Sequence, residues 1–225
     1  LYAAPPGRWV RTNFATSIDG SITGADGRSG TVNSSADHIV FELLRALSDV
    51  VVVGAGTLRT EGYGPLTVDG RWAELRAGSG LAPSLPILAV TGSGQVPPKL
   101  MDAPSGTLLL ATHAASPGLA LAREHLGDNQ VLVCGDDAVD VATMLDLLAG
   151  RGWERVLCEG GPHLLGAMMA ADVVDEICHS TAPVAVGGGG PRMSAGPAVE
   201  RRFLPWAVVE EDGTMMTRWG RDTVT

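Results

Sequence analysis

The chain has 225 residues, 45% of them hydrophobic and 18% charged, and its acids outnumber its bases 25 to 16, for a net charge of -9. That length and apolar fraction suit one compact α/β domain over residues 1–225, while the surplus of acids excludes a surface made to grip nucleic-acid phosphates, which needs clustered Lys and Arg. A small ligand is expected instead, and it can be anionic, because backbone N–H groups at a helix start bind phosphate without net positive charge.

Cys134, Cys158 and Cys178 lack the close pairing of a zinc site or redox motif, so they read as buried apolar residues in a reducing compartment and no metal site is expected. No uninterrupted apolar run approaches the roughly 18 residues of a membrane span, and no signal-peptide pattern opens the chain, which points to a cytoplasmic protein with no membrane partner. The chain begins Leu1-Tyr2-Ala3 without methionine, so the true N-terminus is open.

In chain order, Trp9 to Ala15 reads as the first strand. Ile39, Val40, Leu43, Leu44 and Leu47 then form the apolar face of a helix. Val50 to Val53 is a buried strand, and Gly62 to Gly80 is loop-rich. Ile87 to Val90, Thr107 to Ala111 and Val131 to Cys134 are further strands. Val141, Met144, Leu145 and Leu148 mark another helix, Val156 to Cys158 a strand, and Leu164, Leu165, Met168 and Met169 a third helix. Val173 to Ala182 and Trp206 to Trp219 suggest strands with no helix between them, flanking an extended loop around Gly187 to Gly190. The alternation predicts a three-layer α/β/α fold with a mostly parallel central sheet and a C-terminal antiparallel edge hairpin.

Four segments carry candidate chemistry. Val51-Val52-Val53-Gly54-Ala55-Gly56-Thr57 runs a buried strand into a glycine turn, where backbone can approach a phosphate closely; a tight turn with no ligand would look the same. Arg59 stands where a dinucleotide fingerprint would have its third glycine, so the standard nucleotide fold is not indicated. Cys158-Glu159-Gly160-Gly161-Pro162-His163 repeats the arrangement, with Pro162 suited to a first helical turn and His163 readable as a plain surface residue. In an open parallel sheet both turns fall at the carboxyl edge. Ser17-Ile18-Asp19-Gly20 follows the first strand, with Asp19 explicable as turn chemistry. Asn33-Ser34-Ser35-Ala36-Asp37 opens a helix, where Ser34 or Ser35 can cap and Asp37 can project into a cleft to hold a protonated heterocycle or relay a proton.

Together Ser17-Ile18-Asp19-Gly20, Val53-Gly54-Ala55-Gly56-Thr57, Glu159-Gly160-Gly161 and the stretch from Val174-Asp175-Glu176 through Ala182-Pro183 to Gly187-Gly188-Gly189 resemble, in order, the RibD C-terminal reductase family, which is similar in fold to dihydrofolate reductase. The resemblance spans roughly Arg8 to Trp219 and implies an NADPH-dependent reductase acting on a ribosylaminopyrimidine phosphate of riboflavin biosynthesis, whose ribose becomes a ribityl chain. It places Gly56, Thr57 and Leu58 on the cofactor's phosphate side, Gly160, Gly161, His163 and Leu164 around the pyrophosphate, and Ala15, Ile18 and Gly20 beside the nicotinamide. Thr91-Gly92-Ser93-Gly94-Gln95 resembles the turn that holds the adenosine 2′-phosphate, although a surface turn of small polar residues has the same composition. On the substrate side it puts Asn13, Ser17, Asn33, Ser34 and Glu61, with Asp37, Glu159 and Asp19 as candidate catalytic carboxylates.

Three departures stand out. Ser21 replaces the lysine that family members carry after Asp-Gly, and Thr60-Glu61-Gly62-Tyr63-Gly64-Pro65 replaces the stretch bearing an aspartate pair, with Asp69 where an arginine is expected and Arg71 nearby. If that lysine and arginine serve catalysis and phosphate binding, this protein reduces a different or modified substrate. Ala36-Asp37 followed by Phe41 also resembles the carboxylate-bearing helix of dihydrofolate reductase, so a pterin reductase is the alternative, and a non-catalytic NADPH-binding protein is a third. The apolar, strand-rich C-terminal region and the resemblance both point to a homodimer.

Overall fold

The computed structural model describes residues 1–222. One nine-stranded sheet runs in the order β5-β4-β3-β2-β6-β1-β7-β9-β8. Its strands are β1 (Trp9–Thr16), β2 (Val50–Gly54), β3 (Ile87–Val90), β4 (Leu108–Thr112), β5 (Val131–Val133), β6 (Arg155–Cys158), β7 (Glu176–Thr181), β8 (Phe203–Glu211) and β9 (Thr214–Arg221). The first seven are parallel to one another, and β9 pairs antiparallel with both β7 and β8. The expected three-layer fold with its antiparallel edge is therefore present.

Helices cover both faces. α5 (Val141–Ala149) and α6 (Pro162–Ala170) pack on one face with Val10, Phe14, Val52 and Val156. α1 (Ser35–Ala46), α2 (Ala55–Glu61) and α4 (Leu119–Leu126) contribute Leu44, Leu58 and Ala122 to the other, against Val51, Val53 and Leu157. Burial on both faces is why β2 is an unbroken valine run rather than an alternating one. β7, beside the hairpin, instead alternates buried and half-buried residues.

The chain order around the sheet positions the site. From β1 the chain skips one slot to β2, runs outward to β5, and returns through α5 to place β6 between β2 and β1. The carboxyl ends of β1, β6 and β2 thus lie side by side at the point where the winding reverses, which is where open α/β sheets bind ligands.

Three details differ from the sequence expectation. The Gly62 to Gly80 stretch contains α3 (Ala73–Gly78), too short to show a helical period. It buries Arg76, whose guanidinium donates to the carbonyls of Arg45, Ala46 and Ser48 at the C-terminal end of α1, where a cation suits the helix dipole. α4 had no detectable apolar stripe because Ala122 is its single buried residue. β7 starts at Glu176 rather than Val173 because the chain first turns through Asp172, at φ 58°.

Glu176 itself is fully buried and joins β1, β7 and β9. Arg11, Arg218 and the Trp9 indole all donate to it. Burial alone would raise its pKa, but the two guanidiniums hold it below the usual carboxylate value.

Candidate active site

A cavity of about 830 Å³ opens at the carboxyl ends of β1, β2 and β6. Its rear is made by the two glycine turns, which interlock. Gly54 N–H donates to the Gly160 carbonyl at 2.7 Å. A Cβ on Gly161 would lie 2.3 Å from Thr57 Oγ1, so no side chain fits between the turns. α6 begins at Pro162 without a side-chain cap on its N-cap Gly161, and His163 and Leu164 face the cavity from its first turn. An uncapped helix start at the mouth of a cavity leaves N–H groups for an anion.

Four carboxylates were expected near this space, and the structure gives them four different environments. Glu159, with a side chain 1% exposed, is held by Arg45 through two hydrogen bonds, Nε to Oε1 at 2.7 Å and Nη2 to Oε2 at 2.8 Å. Tyr63 donates a third to Oε2 at 3.0 Å. The Arg45 guanidinium lies 4.0 Å from the centre of the Phe41 ring, one turn back on α1. Burial pulls the Arg45 pKa down, but the Glu159 charge outweighs it and the net direction is up. For Tyr63, burial and then the same carboxylate charge push the phenol well above its usual value.

Asp37 sits in the first turn of α1, lines the cavity and is 5% exposed. Ser34 caps the helix by accepting from Asp37 N–H at 3.1 Å, which fixes where the side chain leaves the helix. Its Oδ1 is buried with no hydrogen-bond partner. Burial raises the pKa of this carboxyl, opposed by a hydrogen bond from Ser180 and by the His38 charge. Asn13, on β1, presents a second buried oxygen without a partner, Oδ1, to the same cavity.

Asp19 is exposed and does not line the cavity. It accepts from Ser17 Oγ at 2.6 Å and from the N–H groups of Val186 and Gly187 at 3.1 and 2.6 Å, tying down the glycine loop. The Ser17 hydroxyl first, then those N–H groups, lower its pKa to about 2. Glu61, half-buried at the end of α2, receives the Ser29 hydroxyl at 2.9 Å and closes another wall.

Of the other residues expected from sequence, Asn13, Ala15, Asn33, Gly56, Thr57, Gly161, His163 and Leu164 line the cavity. Gly160 lies directly behind it through its bond to Gly54. Ser34 acts as the cap, Ser17 supports Asp19 and the Ser21 N–H, Gly20 turns the chain at φ 85°, and Ile18 is 67% exposed beyond the rim. Leu58 is a core residue. Thr91, Gly92 and Ser93 follow β3 outside the cavity, with the two hydroxyls 3.1 Å apart.

Sequence reasoning missed Arg45 and Ser180, and Phe41 and Tyr63 entered it only beside Asp37 and Glu61, although Phe41 and Arg45 stand one helical turn apart, a visible spacing. Ser21, at the position of the missing lysine, donates to the Thr23 carbonyl at 2.8 Å and is covered by Gly190, whose Cβ would lie 2.1 Å from Ser21 Oγ. The glycine loop fills the space a lysine stem would need. Among the described residues there is no cluster of His, Cys, Asp and Glu able to hold a metal ion, and no helix long and apolar enough to cross a membrane.

Comparison with known proteins matches residues 8–215 to the RibD C-terminal domain. The riboflavin biosynthesis protein RibD of Mycobacterium tuberculosis is 29% identical over 181 residues, covering 80% of this chain and 43% of that protein, so the chain spans less than half of that relative's length. The 2,5-diamino-6-ribosylamino-4(3H)-pyrimidinone 5′-phosphate reductase of Archaeoglobus fulgidus is 26% identical over 182 residues, covering 80% of this chain and 82% of that one. Among solved structures, a pyrimidine reductase-like protein from Corynebacterium diphtheriae superposes with a TM-score of 0.85 at 21% identity, over 96% of this chain and 92% of that one, and shows the same fold.

Proposed function

The chain belongs to the RibD C-terminal domain family, and from that premise we propose that it is an NADPH-dependent reductase of a ribosylaminopyrimidine 5′-phosphate in riboflavin biosynthesis. The observation that carries this reading is the cavity itself, in which two interlocked glycine turns and an uncapped helix start face buried polar side chains of α1 and β1. The residues fit a dinucleotide: no side chain intrudes between the turns, and Gly56 has open space where a Cβ would be.

Gly56, Thr57, Gly161, His163 and Leu164 would hold its phosphates, and the Thr91 and Ser93 hydroxyls would favour the 2′-phosphate form. When bound, NADPH supplies the hydride. With the ribose ring open, its C1′–O4′ bond broken and the ring oxygen protonated, C1′=N is the hydride acceptor. Hydride adds to C1′ and a proton to nitrogen, and Asp37 would assist by holding a proton on the adjacent pyrimidine nitrogen, which makes that double bond a better acceptor. Arg45, held by Glu159 through Nε and Nη2, lines the cavity and would set its positive charge against the substrate.

A pterin reductase is the second reading, favoured by one observation, the buried Asp37 with Phe41 one turn later on the same helix. Steady-state NADPH oxidation against ribosylaminopyrimidine phosphates and dihydropterins separates the two. Turnover of a pyrimidine phosphate is expected. Oxidation with dihydropterins alone would transfer the site to the second reading, and tight NADPH binding with no turnover would make the chain a binding protein. The exposed apolar residues of edge strand β8, Leu204, Trp206 and Val208, support a homodimer, which a dimeric mass by light scattering would bear out. We take residues 1–225 as one reductase domain working in the cytoplasm.

A further inference from the structure

We propose that the choice of NADPH over NADH is proton-linked through His113, whose ring must be charged to hold the phosphate on the adenosine ribose. The inference rests on the NADPH-dependent reductase reading and deepens it.

The sheet order gives the direction in which the dinucleotide would lie. Its pyrophosphate belongs at the turns after β2 and β6, and its reacting ring belongs beside Asp37 and Asn13, on the β1 side. β3 and β4 follow β2 in the opposite direction, about 5 and 10 Å along the carboxyl edge at ordinary strand spacing. The adenosine half therefore runs over the ends of these two strands.

The turns there interlock as the first pair does. Gly118 N–H donates to the Ser93 carbonyl at 3.0 Å, and a Cβ on Gly94 would lie 2.7 Å from the Gly118 carbonyl carbon. Three hydroxyls gather at this junction. Thr91 Oγ1 and Ser93 Oγ are 3.1 Å apart, and Ser116 Oγ is buried without a partner beside Gly94. His113 joins them from the turn after β4. The nearest atom to a Cβ on Gly92 would be His113 Nε2, at 3.9 Å, so that nitrogen faces the turn after β3.

The other ring nitrogen fixes what Nε2 can do. Nδ1 lies 3.2 Å from the Asp136 carbonyl, and a carbonyl oxygen only accepts, so Nδ1 carries the hydrogen. In the neutral ring Nε2 then offers a lone pair, which repels a phosphate. Only the charged ring puts a donor there. These turns supply no other cation, since residues 91–95, 113–118 and 134–140 contain one basic side chain, His113, and three acidic ones. Asp140 is committed to capping α5 through the Thr143 N–H, and Asp136 and Asp137 are exposed. NADH has a hydroxyl at the same ribose carbon, which can donate to a neutral Nε2. Phosphate binding should thus take up a proton, and NADH binding should not.

The oxidised cofactors NADP+ and NAD+ differ by the same phosphate and serve as probes. Calorimetry at about pH 7.5, repeated in buffers of different ionisation enthalpy, counts the protons bound. The wild-type chain should take up roughly half a proton with NADP+ and none with NAD+. Its preference for NADP+ should fall about fivefold from about pH 7 to about pH 8.5. His113→Gln sets a neutral amide N–H near the Nε2 position, so it should keep part of the preference with no proton uptake and no pH slope. His113→Ala should weaken NADP+ binding about tenfold at about pH 7 and leave NAD+ unchanged. A wild-type preference for NADP+ without proton uptake would overturn the inference and leave the NADPH reading standing. So would a preference that His113→Ala leaves intact, which would point instead to Arg59, exposed on α2. Equal affinity of the wild-type chain for the two cofactors would overturn the reading and the inference together.

Discussion

Glu159 and Asp37 border the same cavity, are 7% and 5% exposed, and were both candidate acids from the sequence, yet their surroundings are opposite. Glu159 has both oxygens engaged by Arg45 and Tyr63, while Asp37 has one oxygen with no partner at all. Equal burial therefore does not mean equal use. A carboxylate whose hydrogen bonds close within the protein shapes the wall. One left open costs stability until a ligand supplies the missing donors.

Removing Glu159 should give the largest change. Glu159→Ala leaves the Arg45 guanidinium buried without its counter-ion and should lower unfolding free energy by about 3 kcal/mol in urea titration, in the range for breaking a buried pair. A loss under about 1 kcal/mol would erase the contrast with Asp37. Asp37→Asn should do the reverse, depressing turnover by roughly 10²-fold while leaving cofactor affinity nearly unchanged.

The stability of that second variant has a sign that can be worked out. Burial raises the Asp37 pKa, so the folded chain binds this proton more tightly than the unfolded chain. Below the unfolded carboxylate value the wild type and Asp37→Asn should be about equally stable. As pH rises from there through the raised folded value, the wild type should fall behind. A wild type that gains on the variant over this range would mean Asp37 is paired after all.

Smaller effects sharpen the same comparison. Tyr63→Phe removes one of the three hydrogen bonds to Glu159 and should cost about 1 kcal/mol in urea unfolding. Asp19 is a third case, an exposed carboxylate satisfied by loop N–H groups. Its pKa is lowered to about 2, so its hold on the glycine loop is complete above the ordinary carboxylate value and is lost as pH falls toward 2. Hydrogen exchange at the Val186 and Gly187 amides should show reduced protection on acidification, and less protection at neutral pH in Asp19→Asn.

The parallel half of the sheet was legible because burial on both faces leaves apolar runs such as Val50 to Val53, bounded by glycine turns. An antiparallel C-terminal hairpin was expected, but not its turn: Asp212-Gly213, with φ of 50° and 77°, splits the run from Trp206 to Trp219 into β8 and β9 and is a dipeptide such turns favour. Helices α3 and α4 escaped because six residues around Arg76, and eight with one buried alanine, show no apolar period. At the site, glycine spacing located both turns and the capping pattern located Asp37. The sequence could not rank the carboxylates, because the partners of Glu159 come from residues 45 and 63, and those of Asp19 from residues 186 and 187. Only the fold brings these together. The filling of the lysine position by Gly190 is likewise a long-range contact with no local signature.

The most direct test of the role given to Asp37 is its own titration, followed by carbon-13 NMR of aspartate-labelled protein and assigned by the signal lost in Asp37→Asn. In the free chain the carboxyl should titrate above the ordinary value of 3.8, and binding of 2,6-diaminopyrimidin-4-one should bring it down, because a cationic donor edge stabilises the carboxylate. A carboxyl that titrates at the ordinary value and does not respond to the probe would contradict the assignment of Asp37 as the group that holds the ring.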